Sequence, residues 1–522
     1  MIFEKKNTIN EISLALFRKF LYFILFLFSI IQLIISSFNL ETTIICITIC
    51  LTSFYTIDAV INKKIFVNFF FPSLIILALN FTLLSGPLIF KSILLQNISS
   101  YLDAPIKTFL IVCAYQLILI FTLKLYSNSE KFLKVSEKIN FTLIKKLKVF
   151  NIPGIKYSLL LLIIFTLNKG YLNFIDQGLG SFTQIGDVRM KILYGIEDFF
   201  YLPLIFFSVH YFKNKTINNF SYLLILIFYI SISIIFGLAT NSRQEILSIF
   251  FVIFSIILIF RIFHFKKLES FIKYFFILST IFLFFFMETL SNNILKNRGI
   301  RDITSAKDLL LLSIPNSQAN IEKDFLVEVP DSETYTGNKM LDRLVFVRFI
   351  DKALFLSKDF SITQKSKFIE FTKNRLISIF PIKFINLFDK DFDKQKYIIS
   401  NGSLIEGIHY GNFQGGLFNT GSLLAELIII TDSYLITAII IFLLNILFFI
   451  FIQSFQINTD DFIQFSPILL AIIFFLFFVP NSDNSLGFIF NSIRRPLQLA
   501  IFYYFMNLFS INQSLNYSNN KT

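Results

Sequence analysis

The chain has 522 residues, of which 55% are hydrophobic and only 16% charged, and its mean hydropathy is +0.70. That balance excludes an ordinary soluble globular protein and makes lipid the solvent for most of the chain. The formal net charge of +13 belongs to loops that orient the spans, so no nucleic acid is expected as a partner.

Phenylalanine occurs 72 times and tryptophan not at all, which resembles the codon bias of an AT-rich genome and carries no functional weight. Cys46, Cys50 and Cys113 all fall in apolar runs without a CxxC or a neighbouring histidine. They predict neither a disulfide framework nor a metal site, and no cofactor is expected.

Apolar runs of about 20 residues without strict alternation predict membrane-spanning helices, hence an all-α, polytopic integral membrane protein of about twelve spans. In chain order they fall at 18–38, 42–62, 66–86, 105–125, 156–170, 195–212, 219–239, 245–263 and 271–290. Three more fall at 423–452, 464–480 and 488–510. The first run is too long for a signal-peptide core and lacks a small-residue cleavage site, so it reads as a retained helix. The fifth and eleventh are short, and the tenth is long enough to be strongly tilted or broken. The chain therefore divides into an N-terminal membrane domain at 1–290, a large loop at 291–422 and a C-terminal membrane segment at 423–522.

Lysine and arginine set the orientation. Lys5, Lys6, Arg18 and Lys19 precede the first span, and Lys63 and Lys64 follow the second. Lys131, Lys134, Lys138, Lys145, Lys146 and Lys148 lie between the fourth and fifth, Lys213 and Lys215 after the sixth, and Arg261, Lys266 and Lys267 after the eighth. All of these share one side, which the positive-inside rule makes the cytoplasm. Both termini are then inside and the large loop outside. Within that loop, Met340–Asp359 and Lys365–Phe388 set apolar residues at helical spacing between basic ones, the pattern of helices that lie in a lipid interface and cap a membrane-embedded core.

Charges on the outer side are those the orientation rule does not require. Arg189, Arg243, Arg298 and Arg301 each stand next to a span end, and a planar guanidinium suits bidentate phosphate binding. The competing reading has each pairing with Asp187, Glu245 or Asp302, or reaching for lipid phosphates. His409 is the one histidine of three on the outer side, in a Gly-rich stretch before the tenth span; His210 and His264 sit near cytoplasmic helix ends. An imidazole there suits proton transfer as well as it suits a bare surface. Glu426 and Asp432 stand at the mouth of the tenth span, where a carboxylate needs a partner or a water-filled cavity. Either is a candidate general base or the partner of an external arginine. Asp58 and the Glu197–Asp198 pair lie at span edges and read as structural. No GxxxxGK[ST], HExxH or GxSxG occurs, which disfavours nucleotide hydrolysis.

With these residues in hand, the layout resembles the Wzy-type O-antigen and capsule polymerases. The similarity rests on the many-span apolar chain and on Asn241-Ser242-Arg243-Gln244-Glu245 after a span ending in FGLAT. It rests also on the single large loop and its Gly-rich passage into the helix bearing Glu426. The resemblance implies an enzyme of a bacterial inner membrane that transfers a growing glycan from undecaprenyl diphosphate onto a newly flipped lipid-linked repeat unit. Arg189, Arg243, Arg298 and Arg301 would hold diphosphates, and Glu426 or His409 would orient or deprotonate the acceptor hydroxyl. Its partners would be undecaprenyl-diphosphate-linked oligosaccharides, membrane lipids, and the flippase and chain-length regulator of the same pathway. An O-antigen ligase, a lipid-linked oligosaccharide flippase or other transporter, and a non-catalytic assembly protein are the competing readings.

Overall fold

The computed structural model describes residues 2–4, 11–174, 188–212, 216–240, 242–264, 335–338, 341–380, 382–397, 399–411 and 421–509. Among these, eight helices are long and apolar enough to cross a membrane. They are α1 (Glu11–Ile35), α2 (Leu40–Val60), α3 (Phe70–Ile93), α4 (Pro105–Asn128), α5 (Ile155–Phe174), α7 (Asn219–Ala239), α8 (Arg243–His264) and α13 (Tyr434–Gln453). Shorter helices fill the remaining predicted spans: α6 (Leu202–Phe212), α12 (Leu423–Thr431), α14 (Ile473–Phe478) and α15 (Arg495–Phe509). The predicted span at 271–290 lies outside the described residues.

The helices run up and down between two ends. One carries a three-stranded antiparallel sheet in the order β1-β3-β2, built from β1 (Ile2–Glu4), β2 (Gln456–Asn458) and β3 (Phe462–Phe465). Ile2 pairs with Gln464 and Gln456 with Phe465, so the N-terminus is tied to the last hairpin. Phe3 is buried against Phe260 and Phe465. The other end is covered by α9 (Val347–Ser357), α10 (Ile362–Ile377) and α11 (Asn401–Tyr410), all from the large loop.

The core centres on α3, of whose apolar window 72% is buried, against 17% for α1, which leaves most of α1 facing outward. Lipid offers apolar side chains no advantage in packing together, so close approach and polar contacts between helices hold such bundles. Asn80 of α3 donates to Ser53 Oγ of α2 at 3.1 Å, and Gln116 of α4 donates to Ile76 O at 3.1 Å. Gln32 of α1 donates to Gln96 O at 2.8 Å and accepts from Ile98 N–H at 2.8 Å, which pins α1 to the turn after α3. Within α3 a π-turn at Phe81–Ser85 is followed by Gly86, where a Cβ would stand 2.4 Å from Phe81 O. Only glycine fits that bulge.

The tenth predicted span is broken. Asp432 adopts a left-handed conformation (φ 55°) between α12 and α13, so α12 folds back along α13 instead of continuing it. The eleventh begins later than predicted: residues 462–465 are strand β3 and the helical part starts at Pro467. The sixth opens with a 3-10 turn at Glu197–Tyr201 before α6.

Candidate functional site

Two polar clusters lie at the loop-covered end. The first closes around α12. Glu426 stands in its first turn, where free N–H groups favour negative charge, and is fully buried. Glu426 Oε1 accepts the Ser485 backbone N–H at 3.1 Å and the Ser485 hydroxyl. Its Oε2 accepts from the Asn401 side chain and from Arg375 Nη1 at 3.5 Å. Arg375, on α10 and also fully buried, donates to Asn401 Oδ1 at 2.6 Å and to Ile399 O at 2.7 Å.

Asp483 completes this clamp. It accepts the Asn401 backbone N–H at 3.0 Å and the Gly421 N–H at 2.5 Å. Gly421 is glycine because of that approach: a Cβ would lie 2.3 Å from Asn401 Cβ and 2.7 Å from Asp483 Oδ1. Burial pushes the Asp483 carboxyl above the ordinary carboxylate range, opposed by the Asn401 and Gly421 N–H groups and by Arg375. Burial likewise lowers Arg375, opposed by Glu426 and Asp483. The cluster joins α10, α11, α12 and the turn after α14, and its carboxylate oxygens are all engaged.

The second cluster is open. A cavity of about 200 Å³ forms where the end of α5, the turn before α6, the first turn of α8 and the α14–α15 pair meet. Lys169 Nζ sits between Glu245 Oε2 at 2.6 Å and Glu197 Oε1 at 3.1 Å. Arg495 reaches Asp198 with both Nε and Nη2 at 2.6 Å, and its guanidinium lies 3.2 Å over the Phe475 ring. Tyr201, Gln244 and Ser248 complete the lining. Three carboxylates against two cations leave a formal charge of −1. Such a pocket offers acceptors and donors for hydroxyl groups, an aromatic face, and carboxylates able to take a proton.

The predicted residues divide between these places. Arg243 opens α8, directly before the two cavity-lining residues Gln244 and Glu245. Arg189 is the second residue of the short helix Val188–Gly195, whose end precedes Glu197. Arg298 and Arg301 lie outside the described residues. Glu426 meets an arginine, as one of its two readings expected, but that arginine is Arg375 and not one of the four singled out. His409 sits near the end of α11, half-buried, with its ring 4.7 Å from that of Tyr410. Asp432 pairs with Lys365 at 2.7 Å. Glu197 and Asp198, read as structural, line the cavity together. Asp58, read likewise, pairs with Arg18 at 3.6 Å and accepts from Tyr22.

Sequence reasoning missed Lys169, Arg375, Asp483 and Arg495. Lys169 had a signal: it is a cation at the end of a span opposite to the basic loops, the criterion that singled out the four arginines. Arg375 had none, because in a basic amphipathic segment it looks like every other solvated cation. Among the described residues no three His, Cys, Asp or Glu side chains group as metal ligands.

The fold and its charged end define a polytopic α-helical membrane protein with a polar recess at one end. Comparison with family models, with curated proteins and with solved structures finds no match.

Proposed function

We propose that the protein is a membrane glycosyltransferase that polymerises undecaprenyl-diphosphate-linked oligosaccharide repeat units, with the Lys169–Arg495 cavity as the acceptor-sugar site. The observation that carries this reading is the open cavity itself, with carboxylates, cations and an aromatic ring at the loop-covered end, directly beside Arg243. Basic residues collect at the sheet end, and by the orientation rule that end is assigned to the cytoplasm and the loop-covered end to the outer face.

Glycosyl transfer needs a base for the acceptor hydroxyl and charge to stabilise a departing diphosphate. Glu197 and Glu245 are the assigned bases, with Lys169 between them orienting both. Arg243, which directly precedes two cavity-lining residues in the chain, and Arg189 are assigned to the diphosphate, with Arg298 and Arg301 as further candidates. Glu426 is assigned a holding role, since its oxygens are taken by Arg375, Asn401 and Ser485. His409 keeps the alternative part of a proton carrier on the loop side.

A second reading has one specific support. A buried lysine between two glutamates is also the arrangement with which transporters couple substrate to a cation or proton.

The test uses the full-length protein in nanodiscs, given undecaprenyl-diphosphate-linked repeat units, with products resolved on a gel. A ladder made by the wild type, and lowered at least about a hundredfold in rate in Glu245→Gln or Glu197→Gln protein, is expected, since acid–base groups contribute about 10²–10⁴. Failure of the wild type to make a ladder, together with lipid-linked units moving between leaflets of proteoliposomes, would replace the enzyme with a transporter.

A further inference from the structure

A second recess faces the bilayer on the opposite side of α12 from the clamp. It lies between α4, α12 and α13 and has a volume of about 600 Å³. Leu110, Ala114 and Ile118 of α4 form one wall, Ala438 and Ile441 of α13 the other, and Leu424 and Ile428 of α12 the floor. The recess lies where α12, a short limb folded back from Asp432, packs along α13 beside the outer half of α4. Small side chains at 114 and 438 keep it open.

Its dimensions suit one hydrocarbon chain. From Lys107 to Ile118 is 11 residues, or about 16 Å along the helix, which is half of a roughly 30 Å hydrocarbon core and so one leaflet. A volume of about 600 Å³ over about 16 Å gives a bore of roughly 7 Å. Carbons in contact stand about 3.5–4.0 Å apart, so one methyl-branched chain fits and two side by side do not.

The mouth is charged. Lys107 stands exposed in the first turn of α4, where the helix dipole disfavours a cation, and among the described residues it has no ion-pair partner. Tyr434 lies beside it at the head of α13, with its ring exposed at interface level. An apolar trough one leaflet deep, ending at an unpaired lysine, is complementary to a single chain with an anionic head.

We propose that this recess seats the isoprenoid chain of a single-chain lipid phosphate, with the phosphate at Lys107. The identity of the lipid rests on the functional reading above; the seat rests on the geometry. Its floor is α12, whose other face carries Glu426, and Tyr115 in its wall donates to Pro480 O at 2.6 Å, three residues before Asp483. A chain in the recess therefore bears on the same hairpin that the clamp fixes.

The experiment is native mass spectrometry of the purified full chain with undecaprenyl phosphate as the probe and phosphatidylglycerol as competitor. Ala114→Phe, at an exposed position, and Ala438→Phe, at a half-buried one, fill the trough, and each should lower probe retention at least tenfold, with Lys107→Gln lowering it less. Unchanged retention in both alanine variants overturns the seat, and equal displacement by phosphatidylglycerol overturns the single-chain assignment. Retention is read without turnover. A protein that binds the probe in the trough but makes no polymer sinks the functional reading alone, whereas one that polymerises at full rate with the trough filled sinks this one alone.

Discussion

Arg375 and Glu426 show how much a single buried pair commits. Neither has water to fall back on, so removing one partner strands the other charge at a cost of about 3–5 kcal/mol, while replacing both with apolar residues is close to neutral. Arg375→Met and Glu426→Leu should each lower the thermal midpoint in detergent sharply, and the double variant should recover only part of the loss, because Asp483 is left without its arginine. Strictly additive losses would show that the two do not act as a unit. Glu426 was legible in the sequence as an expensive carboxylate in need of a partner. The partner was not, because Arg375 sits 51 residues away in a segment whose other basic residues stay solvated.

At the scale of elements, the loop helices are attached by polar contacts as well as by their apolar faces. Asp351 of α9, fully buried, accepts the backbone N–H groups of Asp103 at 2.6 Å and Ala104 at 3.0 Å, and the Thr108 hydroxyl at 2.8 Å. It thus caps α4 from another element, where α4's own Ala104 supplies no capping side chain. Hydrogen bonds to a charged group contribute about 1.5–3 kcal/mol, so Asp351→Ala should destabilise by at least about 2 kcal/mol. Amide exchange should rise first at Asp103 and Ala104, and protection there equal to the wild type would contradict the cap. Periodicity found α9 and α10 and expected them to cap the core; Asp351 and Arg375 tie them to α4 and α12. The break at Asp432 was legible only as excess length, since aspartate tolerates the left-handed region without announcing it.

For the whole molecule, the two ends differ in kind. One is a small sheet beside many lysines, and the other carries the loop helices and two polar clusters. If the loop-helix end faces outward, Lys390→Cys in a background without Cys46, Cys50 and Cys113 should react with an impermeant thiol reagent on intact cells. Asp460→Cys, beside the sheet, should react only after permeabilisation. The reverse pattern would invert the orientation, and with it the assignment of the cavity to an external substrate.

The sequence by itself determined the solvent, the helical class, the approximate place of most spans and which loops carry the basic residues. These follow from hydropathy, length and the count of basic residues, which act locally and need no knowledge of neighbours. Tertiary structure alone decided which charges meet. Lys169 with Glu197 and Glu245, and Arg375 with Glu426 and Asp483, are pairs formed between segments far apart in the chain. Tertiary structure also decided that α12 turns back at Asp432 and opens a trough beside α4. In lipid a buried charge must find its partner wherever packing brings one, and no local pattern records where that will be.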